Sequence, residues 1–404
     1  MQEFTGKEYL KIDIANSFGH DKLNWNERIE WFDLNEVKLD SLIRQAEKPA
    51  LFYAGVMAWR DVQDGKPSGY PISLDACASG LQLLSCLTGD AQAAKLCGVI
   101  STGSREDAYT SIYQWMCNRI GSTSRIKRED TKKAIMTSLY GSTAEPENIF
   151  GGGELLATFF EAMEVNAPGC WELNRMFLDI WDPQAQEHNW VLPDNFHVHV
   201  KVMVNRTEVV HFYDAPYETT RKIQGSKWKG RSLGANTIHS VDGLVVREMV
   251  RRCDYDVMDV IRATEAAVKA GTDTPDIHAT ATSQQSKMVQ TMWNHYRETG
   301  FLSARILPYI NEETIHRVAR GPLLDLLLST PQKPFKLLTV HDCFRCLPNY
   351  GNDLRKQYRQ VLSELARSEL CSSLFSQILK RKVTIGKMDP QMWKQVQDSN
   401  YALS

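Results

Sequence analysis

The chain has 404 residues, of which 43% are hydrophobic and 24% are charged, and its formal net charge is -2. This is an ordinary globular composition, and the length predicts two or more subdomains. The charge balance excludes a generally basic nucleic-acid binder, so any surface that binds nucleic acid must be local.

Cysteine usage and the amino-terminal residues predict the compartment. Nine cysteines are scattered along the chain, and the first residues lack the charged-then-apolar pattern of a signal peptide. We therefore expect reduced cysteines and a cytoplasmic protein. The longest apolar run, residues 49–59, is shorter than the roughly 18 residues that a membrane span needs, so we expect no membrane role.

The first elements predicted along the chain are mostly helical. Residues 9–14 alternate like a short extended segment, whereas residues 37–46 and 50–59 have helical patterns. After a turn rich in Gly and Pro, residues 71–74 predict a strand that ends at Asp75. This strand therefore places a carboxylate at its end.

Helical periodicity then dominates, and one helix stands out. The stretch R-E-D-T-K-K-A-I-M-T-S-L-Y-G places four side chains on one helical stripe, about 18 Å long at 1.5 Å per residue: Arg128, Lys132, Met136 and Tyr140. Two cations followed by an aromatic ring fit a nucleoside triphosphate, because cations bind phosphate oxygens and the ring can stack. A solvated helix face with Met136 packed inward is the alternative.

Strand patterns return in the second half of the chain. Residues 196–204 and 208–213 alternate on either side of Asn205, Arg206 and Thr207, which predicts a hairpin with these three residues at its tip. Further on, residues 335–340 predict a buried strand that delivers His341 and Asp342. The region between these two features is mostly helical by pattern.

Two aspartates at strand ends, Asp75 and Asp342, would meet if their strands lie side by side. Such a pair suits two Mg²⁺ ions about 3.5 to 4 Å apart, and Mg²⁺ commonly takes only one or two protein carboxylates. The alternative is that both are turn or cap residues. Cys343-x-x-Cys346 beside His341 would allow zinc, but the sequence lacks a second Cys pair for a full ligand set.

Three segments resemble, in order and internal spacing, motifs A, B and C of the phage-type (single-subunit, mitochondrial-like) RNA polymerases. They are D-A-C-A-S-G-L-Q from Asp75, R-x-x-x-K-K-x-x-M-x-x-x-Y-G from Arg128, and H-D-C-F from His341. Further similarity covers residues 7–32, W-x-x-P-D-x-F from Trp190 and H-S-x-D-G from His239. In particular, the chain resembles the larger, catalytic subunit of the split two-subunit middle-gene polymerase of podoviruses.

The chain also departs from the family pattern. Residues 76–79 replace Gly-Ser-Cys-Ser, residues 343–345 replace Ser-Phe-Gly, and neither change removes a metal ligand. About 100 residues separate His239 from His341, more than in the family, which indicates an insertion near residues 250–330.

The resemblance implies a helix-rich α+β fold with the palm and fingers of a right-hand polymerase, without thumb or N-terminal domain. Residues 1–110 would form the first part of the palm, and residues 111–240 the fingers with a specificity hairpin. Residues 241–404 would complete the palm and include the insertion and motif C.

Roles for individual residues follow from the same resemblance. Asp75 and Asp342 would hold two Mg²⁺ ions. The catalytic residues would be Asp75, Asp342, Lys132, Tyr140 and His341. The incoming nucleotide would contact Arg128, Lys132, Tyr140, Tyr109 and Gly80. The nucleic acid would contact Gly141, His239 and Arg206.

The implied function is DNA-directed RNA synthesis by a two-metal mechanism in viral transcription, in the host cell cytoplasm. The implied partners are a DNA template, the RNA product and ribonucleoside triphosphates. Because only 74 residues precede Asp75, we expect a second subunit that supplies the thumb and N-terminal domain. A DNA-binding recruitment factor is a further implied partner.

Two other functions stay open. A family A-like DNA polymerase shares the fold, but it carries a Glu five residues after the motif A aspartate, where this chain has Gly80. A non-catalytic polymerase-like subunit that only binds nucleic acid is the second alternative. Both aspartates, Lys132 and Tyr140 argue against it.

Overall fold

A computed structural model describes residues 1–142, 144–225, 232–270, 274–276 and 281–404. Over these ranges the chain is helix-rich with three small antiparallel sheets, as the predicted α+β class requires. A search of the same residues found no helix long and apolar enough to cross a membrane.

The first half of the chain is almost entirely helical apart from one strand, β1 (Ile72–Asp75). Its helices are α1 (Gly6–Ala15), α2 (Trp25–Asn35), α3 (Leu39–Leu42), α4 (Pro49–Gln63), α5 (Ser79–Thr88), α6 (Ala91–Leu96), α7 (Ala108–Ile120), α8 (Arg128–Leu139), α9 (Ala144–Phe150), α10 (Glu154–Asn166) and α11 (Pro168–Asp179).

The second half combines strands with longer helices. Its strands are β2 (Glu187–Val191), β3 (His197–Lys201), β4 (Met203–Phe212), β5 (Ala215–Gln224), β6 (Leu338–Val340) and β7 (Cys343–Cys346). Its helices are α12 (Ser232–Cys253), α13 (Val257–Ala270), α14 (Gln284–Thr299), α15 (Arg320–Ser329), α16 (Gly351–Arg367), α17 (Leu370–Ile378) and α18 (Met392–Val396).

The extended segment predicted for residues 9–14 is wrong, because these residues lie in α1. A capping box starts this helix: the Thr5 side chain accepts a hydrogen bond from the Glu8 N–H, and Glu8 accepts one from the Thr5 N–H. Tyr9, Ile12 and Ile14 are all buried. A helix that is covered on most sides carries consecutive apolar residues, so its sequence lacks a clear helical period.

The small sheet that carries the two aspartates has the strand order β1-β7-β6. Its strands are antiparallel, and Cys343 is opposite both Asp75 and Val340. Ile72 and Phe344 face the core, where they are buried. The strand predicted at residues 335–340 is shorter than expected, and it is not buried: as an edge strand, β6 leaves Val340 57% exposed.

The hairpin with residues 205–207 at its tip is also wrong. These residues lie inside β4, which pairs with β5 over ten positions, and the turn is formed by Tyr213 and Asp214. Most of the side chains of this β4–β5 hairpin are exposed. A separate hairpin, β2–β3, precedes it.

The described residues form two hydrophobic clusters. The larger one includes the β1-β7-β6 sheet, α5 and α16, whereas the smaller one lies within residues 263–327, inside the predicted insertion. Glu248, which is fully buried on α12, joins the smaller cluster to the rest of the chain. It accepts hydrogen bonds from Ser303 Oγ at 2.5 Å and from Ala304 N–H at 2.9 Å, and it forms an ion pair with Arg252. Arg252 also pairs with Glu364 of α16 at 2.6 Å.

Candidate active site

The sheet brings Asp75 and Asp342 to one edge of the molecule. Asp75 ends β1, and Asp342 lies in the two-residue turn between β6 and β7, next to Cys343. The Ala76 N–H donates to the Asp342 carbonyl oxygen at 3.3 Å. Burial raises the pKa of Asp75, and the Asp342 charge raises it further. The charges of the two carboxylates therefore interact at this end of the sheet.

Main-chain bonds on the other side of β1 fix the position of Asp75. The Asp75 N–H donates to the Ser404 carbonyl at 3.2 Å, and the Ser404 N–H donates to the Asp75 carbonyl at 2.9 Å. Because β1 is bonded on both sides here, the backbone that carries Asp75 is held by two neighbours.

Helix α8 forms a wall of the same site. Its buried side includes Ala134, Ile135 and Leu139, while Lys132 and Met136 are exposed. The alternative in which Met136 packs inward is therefore wrong. The Lys132 ammonium lies 5.4 Å from the centre of the Tyr109 ring on α7. It makes no ion pair with any described carboxylate.

Arg128, at the first turn of α8, is held by α7. Its Nε donates to Thr110 Oγ1 at 2.7 Å, and its guanidinium pairs with the Asp107 carboxylate. Burial opposes ionisation of Asp107, but the hydrogen bonds from Thr110 and Arg128 keep its pKa below the ordinary value. Asp107 also caps α7, where it accepts hydrogen bonds from the Tyr109 and Thr110 N–H groups. The sequence analysis did not identify Asp107, and its pairing with Arg128 has no signal in the local sequence.

Tyr140 directly follows the last residue of α8. Its ring stacks on the His239 ring of α12, with centroids 4.7 Å apart and an angle of 8°. A Cβ atom added at Gly80 would lie 3.3 Å from the Tyr140 hydroxyl oxygen, so the absence of a side chain there leaves room beside that hydroxyl. Burial raises the pKa of Tyr140, and the charges of Asp242 and Asp342 add to this.

Asp242 is a third carboxylate that sequence reasoning left without a role. It follows His239 by three residues on α12, which places both on one helical face. Burial and the Asp342 charge raise the pKa of Asp242, whereas His239 and His341 lower it. His341 itself is exposed in the β6–β7 turn and has a left-handed φ of 56°.

An open pocket of about 460 Å³ adjoins Asp75. Its lining includes Tyr109, the cations Arg128 and Lys132, and residues 76–78, whereas Asp342, Tyr140, His239 and Asp242 do not line it. Lys22 and Lys48 also line it, together with several acidic side chains. The cations of the lining could bind an anionic ligand beside Asp75.

Two predicted nucleic-acid contacts lie in different places. Gly141 is buried directly after Tyr140 and has a φ of 83°, a conformation that favours glycine. Arg206 is in the middle of the exposed β4–β5 hairpin, where it pairs with Glu208 at 3.1 Å. It does not line the pocket.

Zinc and Mg²⁺, the two metals named in the sequence analysis, fit the described residues differently. Among the described residues, no group of three or more His, Cys, Asp or Glu side chains could hold a metal ion. Zinc at Cys343 and Cys346 is wrong, because residues three apart in a strand point to opposite faces, and Cys346 is buried. Asp75 and Asp342 do fit Mg²⁺, which takes only one or two protein carboxylates and completes its shell with water and phosphate.

Comparisons with known proteins agree with the resemblance. Residues 2–147 match the family described as DNA-dependent RNA polymerase. This segment includes Asp75, Lys132 and Tyr140 but not Asp342. The predicted kinship with the phage-type single-subunit RNA polymerases is confirmed for this segment.

Individual relatives extend the same finding. The chain is 27% identical over 182 residues to a probable DNA-directed RNA polymerase of Neurospora crassa, covering 40% of this chain and 20% of the relative. It is 26% identical over 177 residues to the DNA-directed RNA polymerase of Pseudomonas phage phiKMV, covering 34% and 21%. The matches therefore span about a fifth of the length of these relatives.

Proposed function

From the kinship of residues 2–147 with the DNA-dependent RNA polymerases, we propose that this chain carries the catalytic site of a DNA-directed RNA polymerase. The observation that carries the proposal is that the sheet places Asp75 at the end of β1 and Asp342 in the adjoining β6–β7 turn, with Asp75 lining the pocket. Lys132 of α8 lines the same pocket, and Tyr140 follows directly after α8.

In the proposed reaction, the 3′-hydroxyl of the growing RNA attacks the α-phosphate of a ribonucleoside triphosphate. A new P–O bond forms, the bond to the β-phosphate breaks, and pyrophosphate leaves. Two Mg²⁺ ions held by Asp75 and Asp342 would supply Lewis-acid activation of the attacking hydroxyl and charge neutralisation at the phosphates. In the proposal, Lys132 would neutralise or protonate the leaving pyrophosphate, and Arg128, which pairs with Asp107, would contact the triphosphate.

The geometry around Tyr140 favours RNA synthesis over DNA synthesis. Gly80 has no side chain to exclude a 2′-hydroxyl, and even an added Cβ there would lie only 3.3 Å from the Tyr140 hydroxyl oxygen. The stacked His239 ring holds Tyr140 in place, so Tyr140 can recognise the ribose. In the proposal, Tyr109 borders the nucleotide, His341 the primer-end ribose, and His239 the newest base pair.

The finer parts of the proposal concern partners and organisation. We propose a DNA template, an RNA product and a viral transcription role in the host cytoplasm. The palm and fingers boundaries, a second subunit that supplies a thumb and N-terminal domain, and a DNA-binding recruitment factor all stay predictions. The β4–β5 hairpin takes the place of the predicted specificity hairpin, with its turn at Tyr213 and Asp214.

The experiment that tests the function is extension of an RNA primer on a DNA template. The purified chain, together with any protein that copurifies with it, is given NTPs or dNTPs with and without Mg²⁺. We expect Mg²⁺-dependent extension that prefers NTPs. A preference for dNTPs would favour the DNA polymerase alternative, and template binding without any extension would favour the non-catalytic one.

A further inference from the structure

The β4–β5 hairpin is attached to the β2–β3 hairpin at the open ends of both. Buried Val202 joins β3 directly to β4: its N–H donates to the Gln186 carbonyl at 3.0 Å, and its carbonyl accepts from the Gly225 N–H at 3.3 Å. Gln224, which ends β5, also donates to the Gln186 carbonyl, from Nε2 at 3.1 Å. Because most side chains of β4 and β5 are exposed and a lone hairpin is only marginally stable, this base sets where the hairpin points.

The closed end of the β2–β3 hairpin, residues 192–196, contacts the predicted insertion. Arg305 donates from Nη1 to the Asp194 carbonyl at 2.7 Å. His295 of α14 places its Nε2 at 3.2 Å from Asn195 Oδ1. Asn195 has a left-handed φ of 57°, so it forms the tight part of this turn. The insertion therefore contacts the turn through two separate side chains.

The same turn is bonded to α12 through a buried charge. The Asp194 carboxylate is fully buried and pairs with Arg247 at 2.6 Å and with Arg251 at 2.9 Å. Arg251 also pairs at 3.0 Å with Glu248, the residue that accepts hydrogen bonds from the insertion. Charge-assisted hydrogen bonds are stronger than neutral ones, and a buried network of them resists local displacement. The turn, α12 and the insertion are therefore one bonded unit.

We propose that the insertion braces the β2–β3 turn, with Arg305 as the positioning residue, and thereby orients the β4–β5 hairpin. An arginine near a carbonyl often stabilises only its own loop, but the carbonyl that Arg305 contacts is 111 positions away on another element. A paired hairpin transmits a displacement of its turn to its open end, since cross-strand bonds hold its two strands together. The effect on template choice rests on the proposed function, whereas the brace itself does not.

Distances between spin labels test the brace without requiring catalysis. Labels replace Glu30 on α2 and Asp214 in the β4–β5 turn, both exposed, through ketone-bearing amino acids that leave the nine cysteines unlabelled. Pulsed electron paramagnetic resonance of the full chain then gives the distribution of distances between the labels. Arg305→Gln should widen this distribution about twofold, because the turn loses a charged donor. Asn195→Gly, which keeps the left-handed backbone but removes the amide that meets His295, should widen it as well.

Two controls separate the brace from a general loss of stability. Arg262→Gln removes an arginine of α13 that donates to the Pro308 and Ile310 carbonyls within the insertion, and it should leave the distribution unchanged. Arg305→Lys keeps a cationic donor and should restore the wild-type width. A wild-type melting temperature checks that each variant folds, and if Arg305→Gln does not fold, Asn195→Gly decides. A wild-type width in both variants would overturn the inference, as would equal widening in Arg262→Gln.

Initiation and extension supply the functional measurement. Arg305→Gln should lower initiation on unprimed template about fivefold, the equivalent of one lost hydrogen bond, and leave primed extension unchanged. Equal loss in both assays would instead overturn the positioning role of Arg305. A distribution that widens in a chain that never extends a primer would support the brace and refute the proposed function alone.

Discussion

Two hairpins of this chain have the same kind of turn but different surroundings. The β6–β7 turn is His341-Asp342 and the β4–β5 turn is Tyr213-Asp214, and in each the first residue has a left-handed φ, 56° and 53°. The first hairpin pairs with β1 and joins the main core. The second forms a sheet of two strands alone, and Tyr213 is 88% exposed.

The comparison shows which contacts make Asp342, and not Asp214, a candidate active-site residue. An aromatic residue and an aspartate in a tight turn occur twice, so the turn itself is not specific. What distinguishes Asp342 is β1, which places Asp75 beside it, and the neighbouring side chains Tyr140 and Asp242. The site is therefore a property of the assembled sheet and helices.

The largest expected effect is a difference in nucleotide addition between variants of the two turn aspartates, Asp342 and Asp214. Asp342→Asn should lower nucleotide addition at least ~10³-fold, equivalent to ~4 kcal/mol, because one carboxylate of the proposed metal pair is lost. Asp75→Asn should do the same. Asp214→Asn should stay within about twofold of the wild type on a primed template, since it lies on an exposed turn. Single-nucleotide extension rates measure all three, and near-normal extension by Asp342→Asn would contradict the assignment.

A smaller effect is expected beside the β6–β7 turn, at Tyr140. Tyr140→Phe should keep the NTP rate but reduce the preference for NTPs over dNTPs about tenfold, because a site built around a hydroxyl loses discrimination without it. Competing extension with NTP and dNTP mixtures measures the ratio. Tyr213→Phe removes a hydroxyl from the exposed β4–β5 turn and serves as the control. An unchanged ratio in Tyr140→Phe would exclude this role in sugar recognition.

The β4–β5 hairpin should matter for template choice but not for chemistry. Phe212 and Tyr217 lie on one face and are 65% and 57% exposed, so they contribute little to the core. Aromatic side chains can stack on bases with ~1–3 kcal/mol each. Replacing both by Ser should reduce initiation on unprimed template at least about thirtyfold and leave primed extension unchanged. Val209→Ser, on the opposite face, is the matched control, and equal loss in both assays would indicate misfolding instead.

The smallest effect concerns backbone strain in the exposed turn. A left-handed non-glycine residue costs ~1–2 kcal/mol, and glycine loses ~0.5–1 kcal/mol more entropy on folding. Tyr213→Gly should therefore increase the free energy of unfolding by ~0.5 kcal/mol. Urea titration measures it. A clear loss of stability would mean that the Tyr213 ring, which contacts Phe212, stabilises the hairpin.

Local patterns predicted the elements that carry the site. An apolar run predicted α4, a Gly-Pro turn followed by alternation predicted β1, and four side chains spaced by four predicted α8. The adjacency of Asp75 and Asp342 was predicted only on the condition that their two strands lie side by side. The pairing of β1 with β7 meets this condition. Sequence spacing alone cannot fix such a register, because it joins residues more than 250 positions apart.

The errors have physical causes. The sequence of residues 9–14 has the pattern of an extended segment because α1 is covered on most sides and therefore has no continuous polar face. Asn205 suggested a turn, but residues 205–207 continue the pairing of β4 with β5 and the turn forms at Tyr213. The Asp107–Arg128 pair and the contact of Arg305 with Asp194 depend on tertiary contacts between separate elements, for which the local sequence has no signal.

The buried carboxylate of Glu248 also has a consequence for how the chain unfolds. The smaller hydrophobic cluster has its own core, so it would by itself open as an independent unit. Opening it removes the hydrogen bonds that Ser303 and Ala304 donate to Glu248, and each hydrogen bond to a charged group contributes roughly 1.5–3 kcal/mol. Amide hydrogen exchange in α13 and α14 should therefore slow to the rate of α12, and the two clusters should unfold as a single cooperative unit.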